Sequence, residues 1–309
     1  RYWPEFGAEG KDAAQVSMML DHSVGVPAIR EPLPKGSVYD YDYMCQRLAA
    51  EAPFWAPGAR NGYHGLTSAW TVGEMVRRST GKRMGRFFAD EVAGPLGLDF
   101  WIGLPEDEEG RVAPMIGYPP DDKARNSRIA LAMRADPMSP TGRFMLNGGG
   151  FEPNTRAGHA AEIGSGNGIT NARGLAGLYA PLANGGAANG VRLVGADTLT
   201  RMARVSVATH DDATLRIPTR FSLGYMKSMD NRALDNAEDC SCVLSEPAFG
   251  HVGAGGSLGF ADPECRMSFG YAMNRMGAGI LLNDRGQSLV DAAYRALDYR
   301  SNAGGAWTM

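Results

Sequence analysis

Two short segments carry the residue types that acyl-transfer chemistry requires. His251-Val252-Gly253-Ala254-Gly255-Gly256-Ser257-Leu258-Gly259 has the form of a strand lining a cleft. Its glycines let a ligand lie against the backbone, and a main-chain N–H there can point at a developing oxyanion. His251 adds a donor at the cleft edge. Tyr63-His64-Gly65 offers a phenol able to exchange protons, though its ordinary pKa near 10 requires a neighbouring positive charge before it can act as a phenolate. Each segment also has a plain structural reading. A loop tyrosine usually packs with its hydroxyl satisfied, and the 251–259 run reads equally well as a glycine-rich β-turn with a surface histidine.

The elements around these segments decide where they can sit. Trp55-Ala56-Pro57-Gly58-Ala59-Arg60-Asn61-Gly62 is a turn-rich approach to Tyr63. An amphipathic helix follows over 66–80, with Leu66, Ala69, Trp70, Gly73 and Val76 on one face, Glu74, Arg77 and Arg78 off it, and Gly81 as its stop. Earlier, helical stretches precede Gly25 and Pro27 and cover 39–52. A further helix covers about 84–93 and ends at Gly94-Pro95-Leu96-Gly97-Leu98. Residues 103–160 read as loop-rich. Asn171 caps a helix over roughly 172–184, in which Pro181 is an anomaly.

From 221 the period changes to two, at Phe221, Leu223 and Tyr225 and again at Phe269, Tyr271 and Met273. A last helix over about 287–299 places Val290, Ala293, Tyr294 and Leu297 on one face. This order predicts an α+β fold in a single domain, 1–309, with an antiparallel sheet flanked by helices. Roughly 1–200 should be mainly helical, and 201–309 mainly sheet with a C-terminal helix.

Composition narrows the function classes. The chain has 309 residues and a net charge of −3, without a Lys/Arg cluster, which argues against nucleic acid as a partner. No apolar run approaches the ~20 residues that span a bilayer. The four cysteines, Cys45, Cys240, Cys242 and Cys265, suit a reducing compartment and hence a cytoplasmic setting. Cys240-Ser241-Cys242 lacks the second half of a zinc site, so unpaired thiols are expected and no metal. The Gly-x-Gly at Gly253 and at Gly164 lacks the third glycine of a dinucleotide fingerprint. His22-Ser23 resembles a base–nucleophile pair, but adjacent residues rarely serve so, and a loop-capping role is expected. Asp262 and Asn274 read as structural, and Trp55, Trp70, Phe100 and Trp101 as core packing.

In this order and spacing, a further set of segments resembles the serine β-lactamase and penicillin-binding-protein superfamily, nearest to its esterase branch, the family VIII carboxylesterases. These are Tyr2-Trp3-Pro4-Glu5-Phe6, Leu20-Asp21-His22-Ser23-Val24-Gly25-Val26-Pro27, Trp55-Ala56-Pro57-Gly58, Gly94-Pro95-Leu96-Gly97-Leu98, Asn171-Ala172-Arg173-Gly174-Leu175-Ala176, the 249–263 run and Tyr271-Ala272-Met273-Asn274-Arg275.

The resemblance implies a β-lactamase/transpeptidase-like fold and hydrolysis of a small-molecule ester through an acyl-enzyme, with no metal or organic cofactor. It assigns proton transfer to Tyr63 and the strand motif, Lys-Thr-Gly in β-lactamases, to His251-Val252-Gly253. It assigns an oxyanion-hole N–H to Ala254, with Gly253, Gly255 and Gly256 facing substrate. Gly65 stands where the Tyr-x-Asn motif has its amide, and His251 replaces a lysine; both changes favour esters over β-lactams. The rival readings are a β-lactamase or D-Ala-D-Ala peptidase, and a non-catalytic binding protein on the same scaffold.

The motif Ser-x-x-Lys, which supplies the nucleophile, has one match here, Ser79-Thr80-Gly81-Lys82. It follows Tyr63 instead of preceding it, and Gly81 ends a helix where the motif should open one. The expectation is therefore a C-terminal portion of a longer protein, with the N-terminal strands and nucleophile helix upstream of Arg1, and inactive alone.

Overall fold

A computed structural model describes residues 1–119, 121–235 and 240–309, with the Lys123 side chain left aside. Helices dominate the first half. They include α1 (Val16–Leu20), α2 (Tyr41–Ala50), α3 (Ser68–Thr80) and α4 (Met84–Phe88). The capping chemistry is local and explicit. Asp40 accepts from the Tyr43 N–H at the start of α2, and Gly81 takes the left-handed conformation that ends α3. Helix α4 runs past the expected stop at 93, through a π-helical turn at Ala89–Ala93 and a final turn at Gly94–Leu96, before left-handed Gly97 ends it.

The 103–160 region is more ordered than its Pro and Gly content suggests. It holds a 3-10 turn at Glu106–Arg111, short helices at Asp122–Arg125 and Arg156–Ala160, and α5 (Arg128–Ala135) and α6 (Pro140–Leu146). Ser127 and Ser139 cap α5 and α6 through their hydroxyls, and Pro140 occupies the first helical position, where its missing N–H costs nothing. Helix α7 (Ala172–Ala183) starts at Asn171, whose side chain accepts from the Gly174 N–H at 3.0 Å. Pro181 lies in its last turn.

The sheet is antiparallel and uses strands β1 (Val207–Thr209), β2 (Thr219–Phe221), β3 (Phe249–Val252), β4 (Leu258–Asp262) and β5 (Met267–Tyr271). β1 pairs with β2, and β3, β4 and β5 pair in sequence order. Met226 bridges Phe221 on one side and Gly250 on the other, tying the two groups together.

Helix α7 lies on one face because Gly259 and Gly270 leave room for it. A β-carbon on Gly259 would fall 2.4 Å from the Tyr179 ring, and one on Gly270 would fall 2.4 Å from the Ala172 carbonyl. On the other side, Phe260 stacks on Tyr294 of α8 (Asp284–Ala296), with Trp307 beyond it. Val290 and Tyr294 are fully buried, each worth roughly 1.5–3 kcal/mol for a large apolar side chain. Leu297, expected on the same face, is 42% exposed, since the helix ends at Ala296.

Asp262 joins sheet and helix by accepting from Ser245 Oγ and Tyr294 OH at 2.5 and 2.8 Å, the structural role expected of it.

One expectation about α3 is overturned. Glu74 lies inward and buried, not on the solvent face. Burial alone would raise its carboxyl, but hydrogen bonds from Arg77 and Arg78 at 2.7 Å outweigh that and hold it below the ordinary range.

Candidate active site

Tyr63 sits where two apolar cores meet. Its ring packs on the cluster around the sheet, while Leu66, three residues on, packs on the cluster around α2 and α3. The approach to it is pinned at several points. Asn61 Nδ2 donates to the Asp21 carbonyl at 2.8 Å, and the Gly62 N–H donates to the His22 carbonyl at 3.1 Å. Gly62 must be glycine, because a β-carbon there would meet the Trp55 ring at 2.5 Å. The Tyr63 N–H is then caught by both oxygens of Asp212, at 3.0 and 3.1 Å.

Asp212 is fully buried and also accepts from the Thr214 and Leu215 N–H groups and from Thr219 Oγ1. Burial pushes its carboxyl above the usual range, against the pull of those donors.

Four rings surround the phenol. Phe221 is parallel to it at 6.0 Å, His22 and Phe144 meet it edge-on at 4.9 and 6.1 Å, and His251 is tilted against it at 5.8 Å. The two segments singled out in the sequence are therefore brought together. Burial pushes the Tyr63 hydroxyl well up, with Asp212 adding to the effect, and no cation offsets it. Among the described residues, then, the phenol stays protonated at neutral pH.

The histidines explain why no charge is available. His251 Nδ1 lies 2.6 Å from the Val252 carbonyl, so the proton belongs on Nδ1 and Nε2 is left as an acceptor. Burial lowers its pKa, that hydrogen bond opposing. His64 accepts from the Val26 N–H at Nε2 (2.9 Å) and donates from Nδ1 to the Gly62 carbonyl (2.6 Å), and burial takes it to about 3. His22 accepts from the His64 N–H at Nδ1 and is pushed well below the ordinary range by burial and by the other two imidazoles. Three neutral imidazoles thus line one side of the site.

The 253–257 turn is closed by the Gly253 N–H donating to Ser257 O at 2.8 Å and the Gly256 N–H donating to Gly253 O at 2.9 Å. Gly255 and Gly256 have positive φ, and β-carbons on them would strike Met276 and Asn283, so both are required by packing as well as by backbone conformation. A β-carbon on Gly253 would strike Ser257 Oγ at 2.2 Å. Ala254 is exposed, and its N–H donates to no partner among the described residues. The Gly255 and Ser257 N–H groups likewise have no backbone partner among the described residues, but Gly255 is buried and Ser257 half-buried, so Ala254 is the most exposed residue of the three.

Gly65 has an equally physical cause. A β-carbon there would sit 2.5 Å from the Phe144 ring, so Phe144 fills the space an asparagine side chain would occupy.

Three contributors were not legible in the sequence. Asp212 and Phe144 lie far along the chain, and only their side-chain types could have drawn notice. His22 was read as a loop residue beside Ser23. Ser23 does close a local turn, through its Oγ and N–H on Asp21 Oδ1, but the His22 ring faces Tyr63. Its positive φ of 66° is a strain signal that sequence does not carry. Ser79 is exposed at the end of α3, and Lys82 pairs with Asp90 and Glu91, so neither belongs to the site. Among the described residues, no cluster of His, Cys, Asp or Glu is arranged to hold a metal ion, and no helix is long and apolar enough to cross a membrane.

Comparison with known proteins adds independent findings. A family model described as Beta-lactamase matches residues 1–293. The Esterase/beta-lactamase LipL of Mycobacterium tuberculosis is 34% identical over 292 residues, covering 92% of this chain. The chain spans 64% of that relative's length. Among solved structures, a family VIII carboxylesterase superposes with a TM-score of 0.81 at 37% identity, over 95% of this chain and 74% of the other. A penicillin-binding protein homolog from Caulobacter crescentus gives 0.79 at 29% identity, over 96% and 74%.

Proposed function

The chain belongs to the beta-lactamase family and has its β-lactamase/transpeptidase-type α+β fold, and from that premise we propose that it is the tyrosine-bearing part of a serine hydrolase that cleaves carboxylic esters. The observation that carries the reading is the packing of Tyr63 against His251 beside the open N–H of Ala254.

On this reading the attacking serine and its lysine are not Ser79 and Lys82, whose exposure and ion pairs put them outside the site. In the first half-reaction the serine oxygen bonds to the ester carbonyl carbon, and its proton passes to the lysine–tyrosine pair. The Ala254 N–H, with that of the serine, stabilises the oxyanion. Collapse breaks the bond to the alcohol, which leaves with a proton returned by the Tyr63 phenol. Water then repeats the sequence on the acyl-enzyme and releases the acid.

The rest state of Tyr63 fits the donor half of this cycle, because its phenol is protonated. Acting as the acceptor requires a cation close by, which the lysine ammonium supplies. The His251 ring, tilted against the Tyr63 ring at 5.8 Å and with Nε2 unprotonated, packs beside the phenol without a hydrogen bond to its hydroxyl.

The preference for esters over β-lactams follows from two features. Phe144 occupies the place of an amide over Gly65, and the neutral His251 offers no fixed positive charge to a β-lactam carboxylate. Comparing p-nitrophenyl butyrate with a chromogenic cephalosporin on the protein as its source organism makes it tests this. Turnover of the ester alone supports the reading, and faster cephalosporin turnover sinks it.

A further inference from the structure

Phe144 stands between Tyr63 and a separate apolar pocket. On one side its ring meets the Tyr63 ring edge-on at 6.1 Å. The two rings approach over the bare backbone of Gly65, where a β-carbon would lie 2.5 Å from Phe144 and 3.0 Å from Tyr63. On the other side Phe144 lines a pocket between α3, α6 and the 27–33 loop, to which Tyr63 contributes nothing. Ile29, Leu33, Met44, Leu66 and Trp70 form its apolar walls. Counted out to its open mouth the pocket measures about 320 Å³, but the room inside is about 20 Å³, enough for roughly one water.

The ring that closes the pocket is held in place. Thr141, Phe144 and Asn147 follow at intervals of three, so they share one face of α6 and its C-terminal boundary. The outer two are anchored by hydrogen bonds. Thr141 Oγ1 donates to the Ala213 and Thr214 carbonyls at 3.3 and 2.8 Å, next to the Asp212 that holds the Tyr63 N–H. Asn147 accepts from the Leu33 N–H at 2.8 Å and donates to the Ile29 and Glu31 carbonyls at 2.7 and 2.8 Å. Phe144 and Tyr63 are therefore positioned by the same 212–214 turn, and the Phe144 backbone cannot retreat without releasing an anchor.

An apolar pocket, open to solvent at its mouth and stopped on the catalytic side by one aromatic ring, has the form of an alkyl-chain slot with its inner end shut. In the reaction described above, Tyr63 returns its proton to the leaving alcohol. The part of the substrate that starts beside Tyr63 is therefore the alcohol half of the ester.

We infer that Phe144 is a specificity-determining residue, which keeps the alcohol half of the ester out of this pocket and confines turnover to short alkoxy groups. The inference rests on the hydrolase reading for its link to turnover, but not for the pocket itself. Replacing the ring by a methyl group joins the pocket to the space beside Tyr63, and each methylene of a longer chain that enters then leaves water.

The test compares ethyl with hexyl butyrate, whose leaving alcohols are alike in reactivity, on the protein as its source organism makes it. From ethyl to hexyl, kcat/KM should fall at least about tenfold in the wild type. Phe144→Ala should bring the two esters within about threefold of each other. Phe144→Leu, the milder change should the alanine variant fail to fold, should close part of the gap. A ratio that neither variant moves, or a wild type that takes both esters equally, overturns the proposal. So does a Phe144→Ala variant that gains on p-nitrophenyl decanoate but not on hexyl butyrate, because the pocket would then take the acyl chain.

Calorimetric titration with 1-hexanol separates the pocket from the chemistry. Phe144→Ala should bind 1-hexanol and the wild type should not. Hexanol binding gained by the variant, with neither butyrate ester hydrolysed by either protein, leaves the pocket standing and defeats the hydrolase. Hydrolysis of ethyl butyrate without hexanol binding by the variant leaves the hydrolase standing and defeats the pocket.

Discussion

Both carboxylate oxygens of Asp212 hold the backbone N–H of Tyr63, across 149 residues of sequence. The residue that positions the phenol thus comes from the start of the sheet region, while the phenol itself comes from the loop before α3. Asp212 also ties down Thr214, Leu215 and Thr219. Asp212→Asn should therefore put an amide NH₂ among N–H donors and destabilise the fold by about 2–3 kcal/mol, read from urea unfolding. A loss under half a kcal/mol would mean that the carboxylate is not organising the loop.

Gly65→Asn, which restores the motif residue of β-lactamases, should not be neutral. Its β-carbon would fall 2.5 Å from Phe144, and overpacking of this kind costs about 1–3 kcal/mol. In a Phe144→Ala background the same substitution should cost much less. Equal penalties in both backgrounds would show that Phe144 is not the obstacle.

Gly270→Ala tests how α7 meets the sheet. The new methyl group would press on the Ala172 carbonyl at 2.4 Å and on the Ala176 N–H, backbone atoms that cannot swing aside. Thermal unfolding should show a loss of about 2–3 kcal/mol. An unchanged midpoint would contradict the close approach.

Stability should fall as the pH is lowered from neutral. The folded His64 takes up a proton only at about 3, while in the unfolded chain it does so near the ordinary 6.5. The unfolded state therefore binds more protons below pH 6.5, and each unit of acidification toward 3 removes about 1.4 kcal/mol for such a group. His22 and His251 shift in the same direction and add to the effect. Between pH 7 and pH 5 the unfolding free energy should drop by about 2 kcal/mol or more. A flat profile over that range would mean that these imidazoles are hydrated or charged in the folded protein.

How much of this was legible in the sequence follows the range of the interactions. The cap of α7 at Asn171 and the stop of α3 at Gly81 are set within a few residues, and both were readable. The Ser139-Pro140 start of α6 was equally local, but its setting among prolines and glycines hid it. Glu74 was placed on the wrong face because periodicity ignores that Arg77 and Arg78 can satisfy a buried carboxylate. Tyr63, His251 and Ala254 were marked by motif, whereas the contacts of His22, Phe144 and Asp212 with Tyr63 exist only once distant segments have packed.

The central claim is that the Tyr63 hydroxyl moves protons in ester hydrolysis. Its ring makes the packing contacts, and the hydroxyl has no hydrogen-bond partner among the described residues, so Tyr63→Phe should leave stability within about 0.5 kcal/mol. The decisive measurement is kcat for p-nitrophenyl butyrate in the protein as its source organism makes it, with and without Tyr63→Phe. The account predicts a loss of at least about a hundredfold, as expected for removal of a general acid–base group. A variant that folds normally and keeps its rate within a few-fold would contradict it.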